Sequence, residues 1–326
     1  MARVLIAGCG DVGCALAVRL RDAGHAVWGI RRTAATLPPG IQPLIYDLAD
    51  RDAHRRHLPT DLDHVVYAAA PGARDRGETD RVAADRVALY RRAYLVGLGR
   101  LLDALASTNP QVQRVIFVSS TGVYGSDDGA WVDEDTPPAP ARPTGAVLLE
   151  AEARLHASPF AGCALRAAGI YGPDRLALVR RALAADILDR GAVSWTNRIH
   201  RDDVAGALAH LLMRDEAPAP CYLAVDEAPA PRHAVIDWLR AQLGLPRAVD
   251  RDGATGDPSA SSDRTRGANK RCDGGRLRAT GYRFQHPTYR EGYTAVLRHH
   301  ADWLRDQLPP GTAPPVLEGA DRTTTV

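Results

Sequence analysis

The sequence predicts an α/β fold, a doubly wound parallel sheet (Rossmann-type) with a smaller C-terminal lobe, and three observations predict it. Short apolar runs such as Val4-Leu5-Ile6-Ala7 and Arg114-Val115-Ile116-Phe117-Val118 are continuous rather than alternating, as in strands buried on both faces. They take turns along the chain with stretches of helical apolar spacing, which makes a parallel sheet with right-handed crossovers the economical arrangement. The first run also passes without a spacer into Gly8-Cys9-Gly10-Asp11-Val12-Gly13.

A helix follows that turn, with Ala15, Leu16, Val18, Leu20 and Ala23 as its apolar face and Gly24 as its stop, and His25 to Ile30 reads as the second strand. Strand, G-x-G-x-x-G, helix, strand is the context of a dinucleotide-binding turn. Gly8 makes the tight bend, Gly10 lets backbone approach a pyrophosphate and Gly13 lets helix and strand pack closely. Asp11 and Val12 stand at the helix N-terminus, where free N–H groups and the dipole favour anions. The competing reading is a glycine-rich turn in another α/β domain. The second strand ends in Arg31-Arg32, about 20 residues beyond the glycines, where an NAD-binding chain carries an acid for the ribose 2′-hydroxyl. Guanidinium forks suit a 2′-phosphate and a carboxylate repels it, so the expected cofactor is NADP in preference to NAD. Two adjacent arginines can equally form a solvated edge.

With 326 residues, 45% hydrophobic and 25% charged, the chain can bury one substantial core plus a lobe. Forty-one basic against 39 acidic residues leave a net charge of +2, too little to argue for nucleic acid or an anionic membrane surface. No apolar run is long enough to span a bilayer, and the start runs straight into the first strand without a signal-peptide pattern. Cys9, Cys14, Cys163, Cys221 and Cys272 have neither disulfide nor zinc spacing; they read as small, mostly buried residues in a reducing cytoplasm, with no metal site. The expected partner is a small-molecule substrate, and the composition carries no signal for an oligomeric state.

Leu44-Ile45-Tyr46 is a third strand leading to Asp47-Leu48, and His64 to Ala68 a fourth, running into Ala69-Ala70-Pro71-Gly72. Small residues from Ala68 to Ala70 let a flat cofactor ring lie close, or serve tight packing alone. After an arginine- and aspartate-rich loop, a helix from Ala88 through Leu95, Leu98, Leu101, Leu102 and Leu105 leads to the fifth strand. At the C-terminal end of that strand stands Ser119-Ser120-Thr121-Gly122-Val123-Tyr124-Gly125, on the side where open α/β sheets bind ligands. A helix beginning near Thr144 carries Leu148, Leu149, Ala153 and Leu155, and Cys163 to Pro173 reads as a sixth strand and a turn. Ser119 and Ala168, at the ends of the fifth and sixth strands, join the candidate cofactor set.

Residues 1–165 therefore form the main domain, with further strands from 166–225; residues 166–308 contain the substrate lobe, and 309–326, without apolar period, are expected to be disordered. Ala192 to Trp195 reads as a strand entering the turn at His200, and Cys221 to Val225 as another. His200 reads as a structural partner of Asp202 or Asp203 rather than a catalyst. Asp250 to Gly267, rich in Gly, Ser, Asp and Arg, is a lid or a plain insertion. Lys270, the single lysine of the chain, and Arg271 suggest an anionic group on the substrate, with solvated surface charge as the alternative.

In order, the glycine turn, Asp47-Leu48, Ser119 to Gly125, Leu165 to Pro173, Ile199 to Val204, Asn269-Lys270-Arg271, Leu277 and Tyr289 to Gly292 resemble an extended short-chain dehydrogenase/reductase of the NAD(P)-dependent epimerase/dehydratase family, in an atypical branch. The resemblance runs from about Ala2 to Leu308. It implies Asp47 near the adenine amino group and Ser120 bonding the reacting substrate oxygen. It also implies a tyrosine and, four residues on, a lysine; alignment through Ala151-Glu152 puts Thr144 and Leu148 at those places, and Tyr94 where the family has an asparagine. Lysine lost to composition bias becomes arginine, not leucine, and a threonine does not titrate at useful pH. The proton then falls to Tyr124, Tyr171 or His200, with Tyr171 and His200 beside the substrate. The resemblance implies an NADP-dependent oxidoreductase or epimerase/dehydratase for a small or nucleotide-linked substrate; the alternative is an inactive NADP(H)-binding sensor.

Overall fold

The apolar runs become strands of one seven-stranded sheet because they are β-prone and buried on both faces, whereas the edge strand Gln42–Ile45 is mostly exposed. They are β1 (Arg3–Ala7), β2 (Ala26–Arg31), β3 (Gln42–Ile45), β4 (His64–Tyr67), β5 (Arg114–Ser120), β6 (Ala161–Ala167) and β7 (Cys221–Ala224). All pair in parallel in the order β3-β2-β1-β4-β5-β6-β7, with Ile6 opposite both Gly29 and Val66. The computed structural model describes residues 1–33, 37–50, 52–71, 83–185, 187–188, 190, 193–250 and 269–317. None of the helices among them is long and apolar enough to cross a membrane.

Parallel neighbours need crossovers, and helices before residue 214 supply most of them, the later helices following the last strand. These are α1 (Asp11–Asp22), α2 (Ala53–His57), α3 (Ala83–Tyr90), α4 (Gly97–Thr108), α5 (Pro143–His156), α6 (Ala177–Ala184), α7 (Arg201–Met213), α8 (Arg232–Gln242), α9 (Gly275–Ala279), α10 (Tyr289–His299) and α11 (Ala301–Gln307). Val4 and Ile6 of β1 pack with Leu16 and Leu20 of α1 and Leu208 and Leu211 of α7 on one face. Leu5 and Ala7 face the other way, toward Leu98, Leu101 and Leu105 of α4 and Leu148 and Leu155 of α5. The chain reverses direction across the sheet between β1 and β4, which opens a crevice at the strands' C-terminal ends.

Several elements differ from the sequence pattern for physical reasons. The single helix expected from Ala88 to Leu105 is broken by a π-helical turn over Arg91–Val96. There the Tyr67 hydroxyl donates to the Ala93 carbonyl, and a Cβ at Gly97 would stand 2.3 Å from that hydroxyl oxygen, so the wider turn and the glycine accommodate a buried phenol. β3 ends at Ile45, leaving Tyr46 to bury its ring against His54. Pro43 of β3 lies opposite Gly29, and Leu223 of β7 gives its N–H to the Glu134 carboxylate at 2.7 Å. The strand expected over 192–195 is Trp195–Thr196, antiparallel to Ala230–Pro231.

The lobe packs α6, α8, α10 and α11 around Val179, Val235, Leu239, Tyr293 and Leu304. The tail expected to be disordered is corrected in its first half: Val316 and Leu317 are buried against this core, and Arg298 donates to the Val316 carbonyl. Two apolar side chains were enough, a signal too short for a periodicity to register. Residues 318–326, the suggested lid over 251–267 and Gly72 lie outside the described residues.

Candidate active site

At the C-terminal edge of the sheet the glycine turn has the geometry its sequence requires. Gly8 adopts φ +91° and approaches β4 so closely that a Cβ would stand 2.3 Å from the Ala69 nitrogen. A Cβ on Gly13 would lie 2.7 Å from the Gly8 carbonyl oxygen, which explains why the helix can sit so close to the strand. At Gly10 a Cβ would meet nothing within 4 Å: the space is open to the crevice. No side chain caps α1, so its first N–H groups are available to an anion. The residues present thus fit a dinucleotide pyrophosphate.

The turn opens on a cleft of about 1170 Å³. Gly8, Gly10, Asp11 and Val12 line one end with Arg31 and Arg32; Asp47, Leu48 and Ala68, Ala69 and Ala70 line the floor. Ser119, Ser120, Thr144, Leu148 and Ala168 line the far end. Burial pushes the Asp47 carboxyl up, but the Ala49 N–H and the Arg92 guanidinium, both at 2.8 Å, outweigh it and hold the group below the usual carboxylate range. Asp11 is paired with Arg175 at 2.6 Å and Arg201 at 3.3 Å. A second cavity of about 510 Å³ lies beside the turn, lined by Cys14, Arg31 and Arg201 among others.

Ser120 ends β5, and its Oγ accepts the Gly122 N–H at 3.1 Å, which leaves its own proton free to donate into the cleft. A Cβ on Gly145 would stand 2.6 Å from the Gly122 carbonyl oxygen, so the start of α5 is pressed against the turn after Ser120. A buried network holds the two together. Ser119 donates to Glu152 at 2.6 Å, Glu152 pairs with Arg166 at 2.7 Å, and Arg166 donates to the Tyr124 hydroxyl at 2.6 Å.

That network corrects the reading of Tyr124. Its phenol is buried away from the cleft lining, and burial pushes it up to about 12 despite Arg166. Tyr171 is likewise core: it stacks on Tyr293 at 4.3 Å, and burial drives its phenol upward. His200 caps α7 by accepting the Asp202 N–H at 3.2 Å and lies against His286, whose Nδ1 is 3.0 Å from Asp203. Burial, aided by the neighbouring His286, brings His200 down to about 4. Asp202 is therefore its partner, whereas Asp203 is occupied by His286, Tyr282 and the Gln285 N–H. Lys270 and Arg271 do not line the cleft either. The buried Lys270 ammonium donates to the Tyr124 carbonyl at 2.9 Å, and burial lowers its pKa. Arg271 donates to the Gly129 carbonyl and lies between the rings of Trp131 and Trp195, at 5.0 and 4.9 Å.

Several cleft residues carried no site role in the sequence reading, Tyr90, Tyr94 and Arg142 among them. Tyr90, which ends α3, and Tyr94, in the π-helical turn, line the cleft with ring centroids 5.2 Å apart, and Arg142 stands at the N-cap of α5. Tyr90 and Tyr94 stand four apart and share a helix face, but the spacing does not say which face meets the cleft; Arg142 had a usable signal in its place immediately before the helix of Thr144.

Comparison with known proteins supports the same assignment. Residues 4–220 match the model of the NAD dependent epimerase/dehydratase family. The chain is 34% identical over 226 residues to Protein YeeZ of Escherichia coli K12, covering 65% of this chain and 73% of that protein. It is 31% identical over 223 residues to 2′-dehydrokanamycin reductase of Streptomyces kanamyceticus, covering 66% of this chain and 59% of that one. A structure from Methylobacillus flagellatus assigned as a NAD-dependent epimerase/dehydratase superposes with a TM-score of 0.69 at 36% identity, over 91% of this chain and 97% of the other. With a parallel sheet, a dinucleotide turn at its switch point and a serine at the end of β5, this chain belongs to the NAD dependent epimerase/dehydratase family.

Proposed function

We propose that the chain is an NADP-dependent oxidoreductase or epimerase/dehydratase acting on a small or nucleotide-linked substrate that carries an anionic group. One observation carries the reading: the glycine turn, Arg31, Arg32 and Ser120 open on a single cleft. The dinucleotide, when bound, gives or takes a hydride. The chain supplies everything else. Backbone N–H groups at the start of α1 hold the pyrophosphate, and Arg31 and Arg32 hold the 2′-phosphate. Ser120, its lone pair already engaged by Gly122, donates to the substrate oxygen. Arg142, which forms no ion pair among the described residues, receives the substrate's anionic group, the role first assigned to Lys270 and Arg271. Thr144 and Leu148 take the places of the family's tyrosine and lysine, so the proton comes from a cleft phenol, Tyr90 or Tyr94, or from water held by Ser120 and Thr144. The likeness to a reductase supports the oxidoreductase form. The five free cysteines suit a reducing cytoplasm.

A second reading, an NADP(H) sensor without turnover, is favoured by Thr144 and Leu148 on the cleft wall, which offer no titrating group. The two separate in one assay: loss of NADPH absorbance against a panel of carbonyl compounds, with and without a carboxylate or phosphate. Turnover that prefers the anionic members and falls with Arg142→Ala supports the enzyme. Tight NADPH binding with no turnover across the panel supports the sensor.

A further inference from the structure

We propose that Cys9 and Cys14 are a peroxide-responsive thiol pair that closes a disulfide across the dinucleotide turn and weakens dinucleotide binding. Their sulfurs lie 3.9 Å apart, one on the residue between the first two glycines and the other in the first turn of α1. The two thiols differ in their surroundings. Cys9 is fully buried, lodged where a Cβ on Gly29 would stand 2.9 Å from its sulfur. Cys14 is half-buried and lines the side cavity of about 510 Å³ together with Arg31 and Arg201. Its hydrogen bond with Cys9 and those two guanidiniums bring it down to about 7, against burial and the Asp11 carboxylate. Cys9 is shifted upward by the same hydrogen bond and by its burial. Cys14 is thus the accessible thiolate and Cys9 the resolving thiol.

The chemistry closes with peroxide as the oxidant. The Cys14 thiolate attacks one peroxide oxygen, the O–O bond breaks, and the departing hydroxide takes a proton to become water. The resulting sulfenic acid is attacked by the Cys9 sulfur; the S–O bond breaks, and hydroxide leaves with the Cys9 proton as a second water. Two thiols are oxidised to one disulfide while one peroxide is reduced to two waters.

The consequence follows from what the ring encloses. An S–S bond is about 2.05 Å, so the sulfurs must close by nearly half their present separation. Gly10 to Gly13, the backbone that presents N–H groups to an anion, lies inside the loop and has to move with them. Cys9 is pinned against β2 by its fit over Gly29, which puts the displacement on the start of α1. Conversely, a dinucleotide seated on the turn holds the sulfurs apart and slows their oxidation. The inference requires a dinucleotide at the turn, but neither NADP preference nor turnover.

The full chain is treated with hydrogen peroxide, alkylated and digested with trypsin. Cleavage after Arg3 and Arg19 releases one peptide holding Cys9 and Cys14 and no other cysteine. That peptide should resist alkylation and be two hydrogens lighter. In Cys9→Ser, Cys14 should persist as a sulfenic acid that dimedone traps. By fluorescence titration the oxidised protein should bind NADPH on the order of tenfold more weakly, with recovery in dithiothreitol. Cys14→Ser, or Cys14→Ala if the first folds poorly, should bind NADPH without responding to peroxide. Alkylation of both cysteines after peroxide treatment overturns the proposal, as does an oxidised peptide accompanied by unchanged affinity. If the reduced protein binds neither NADPH nor NADH, the function proposed above fails, while the mass measurement still decides the thiol chemistry.

Discussion

At the scale of single residues, the proposed preference for NADP rests on Arg31 and Arg32 in the cleft lining. A charge-assisted pair with a 2′-phosphate contributes roughly 1.5–3 kcal/mol, so calorimetry should find NADPH favoured over NADH by about ten- to a hundredfold. Arg31→Asp should abolish or reverse that preference; an unchanged ratio means the guanidinium only faces water. Thr144 and Leu148 set a harder test. If they occupy the tyrosine and lysine places, native turnover is slow, and Thr144→Tyr combined with Leu148→Lys should raise it by roughly 10²–10⁴-fold, the worth of a positioned acid/base pair. Circular dichroism must accompany the assay, because the new ammonium replaces a packed leucine. Fast turnover in the unaltered protein that survives Ser120→Ala would remove Ser120 from the chemistry.

At the scale of elements, α5 is tied to β5 and β6 through Glu152. Glu152→Ala leaves the Arg166 guanidinium buried without its partner, and urea unfolding should show a loss of about 3–5 kcal/mol. A loss near zero would mean the start of α5, and so Thr144, is positioned by packing alone. The elements also show which parts of this protein its sequence reveals. Gly8, Gly10, Asp11 and Val12 and the two arginines were legible because a local motif dictates local geometry and the strand ends carry it to the sheet edge. Tyr124 and Tyr171 were not: a tyrosine near a strand end can turn inward as readily as outward, and Arg166 and Tyr293, which hold them, are 42 and 122 residues away in sequence. The π turn was hidden for the same reason, since its cause is the Tyr67 hydroxyl on another strand.

At the scale of the whole molecule, two buried groups give stability opposing dependences on pH. Burial raises the Asp226 carboxyl to about 7, over the pull of Ala228 and Arg198, so its contribution is present below its ordinary value of 3.8 and lost as pH rises toward 7. His200, lowered from 6.5 to about 4, contributes above 6.5 and loses that contribution as pH falls toward 4. The shifts correspond to at most about 4 kcal/mol for Asp226 and about 3 kcal/mol for His200, so these two contributions largely offset each other between those values. Asp226→Asn should expose the His200 slope, with stability falling on acidification. His200→Asn, which keeps a capping side chain, should expose the opposite slope. Parallel pH profiles for the two variants would refute both assignments.

The two outer strands carry a consequence of their own. Tyr46 gives its N–H to Arg31, so alternation turns the nitrogen of Pro43, three residues earlier, toward solvent, and a proline there has no hydrogen to offer. On the opposite border the Leu223 N–H is already taken by Glu134. Both borders of this sheet are therefore blunted against pairing with a strand from another chain.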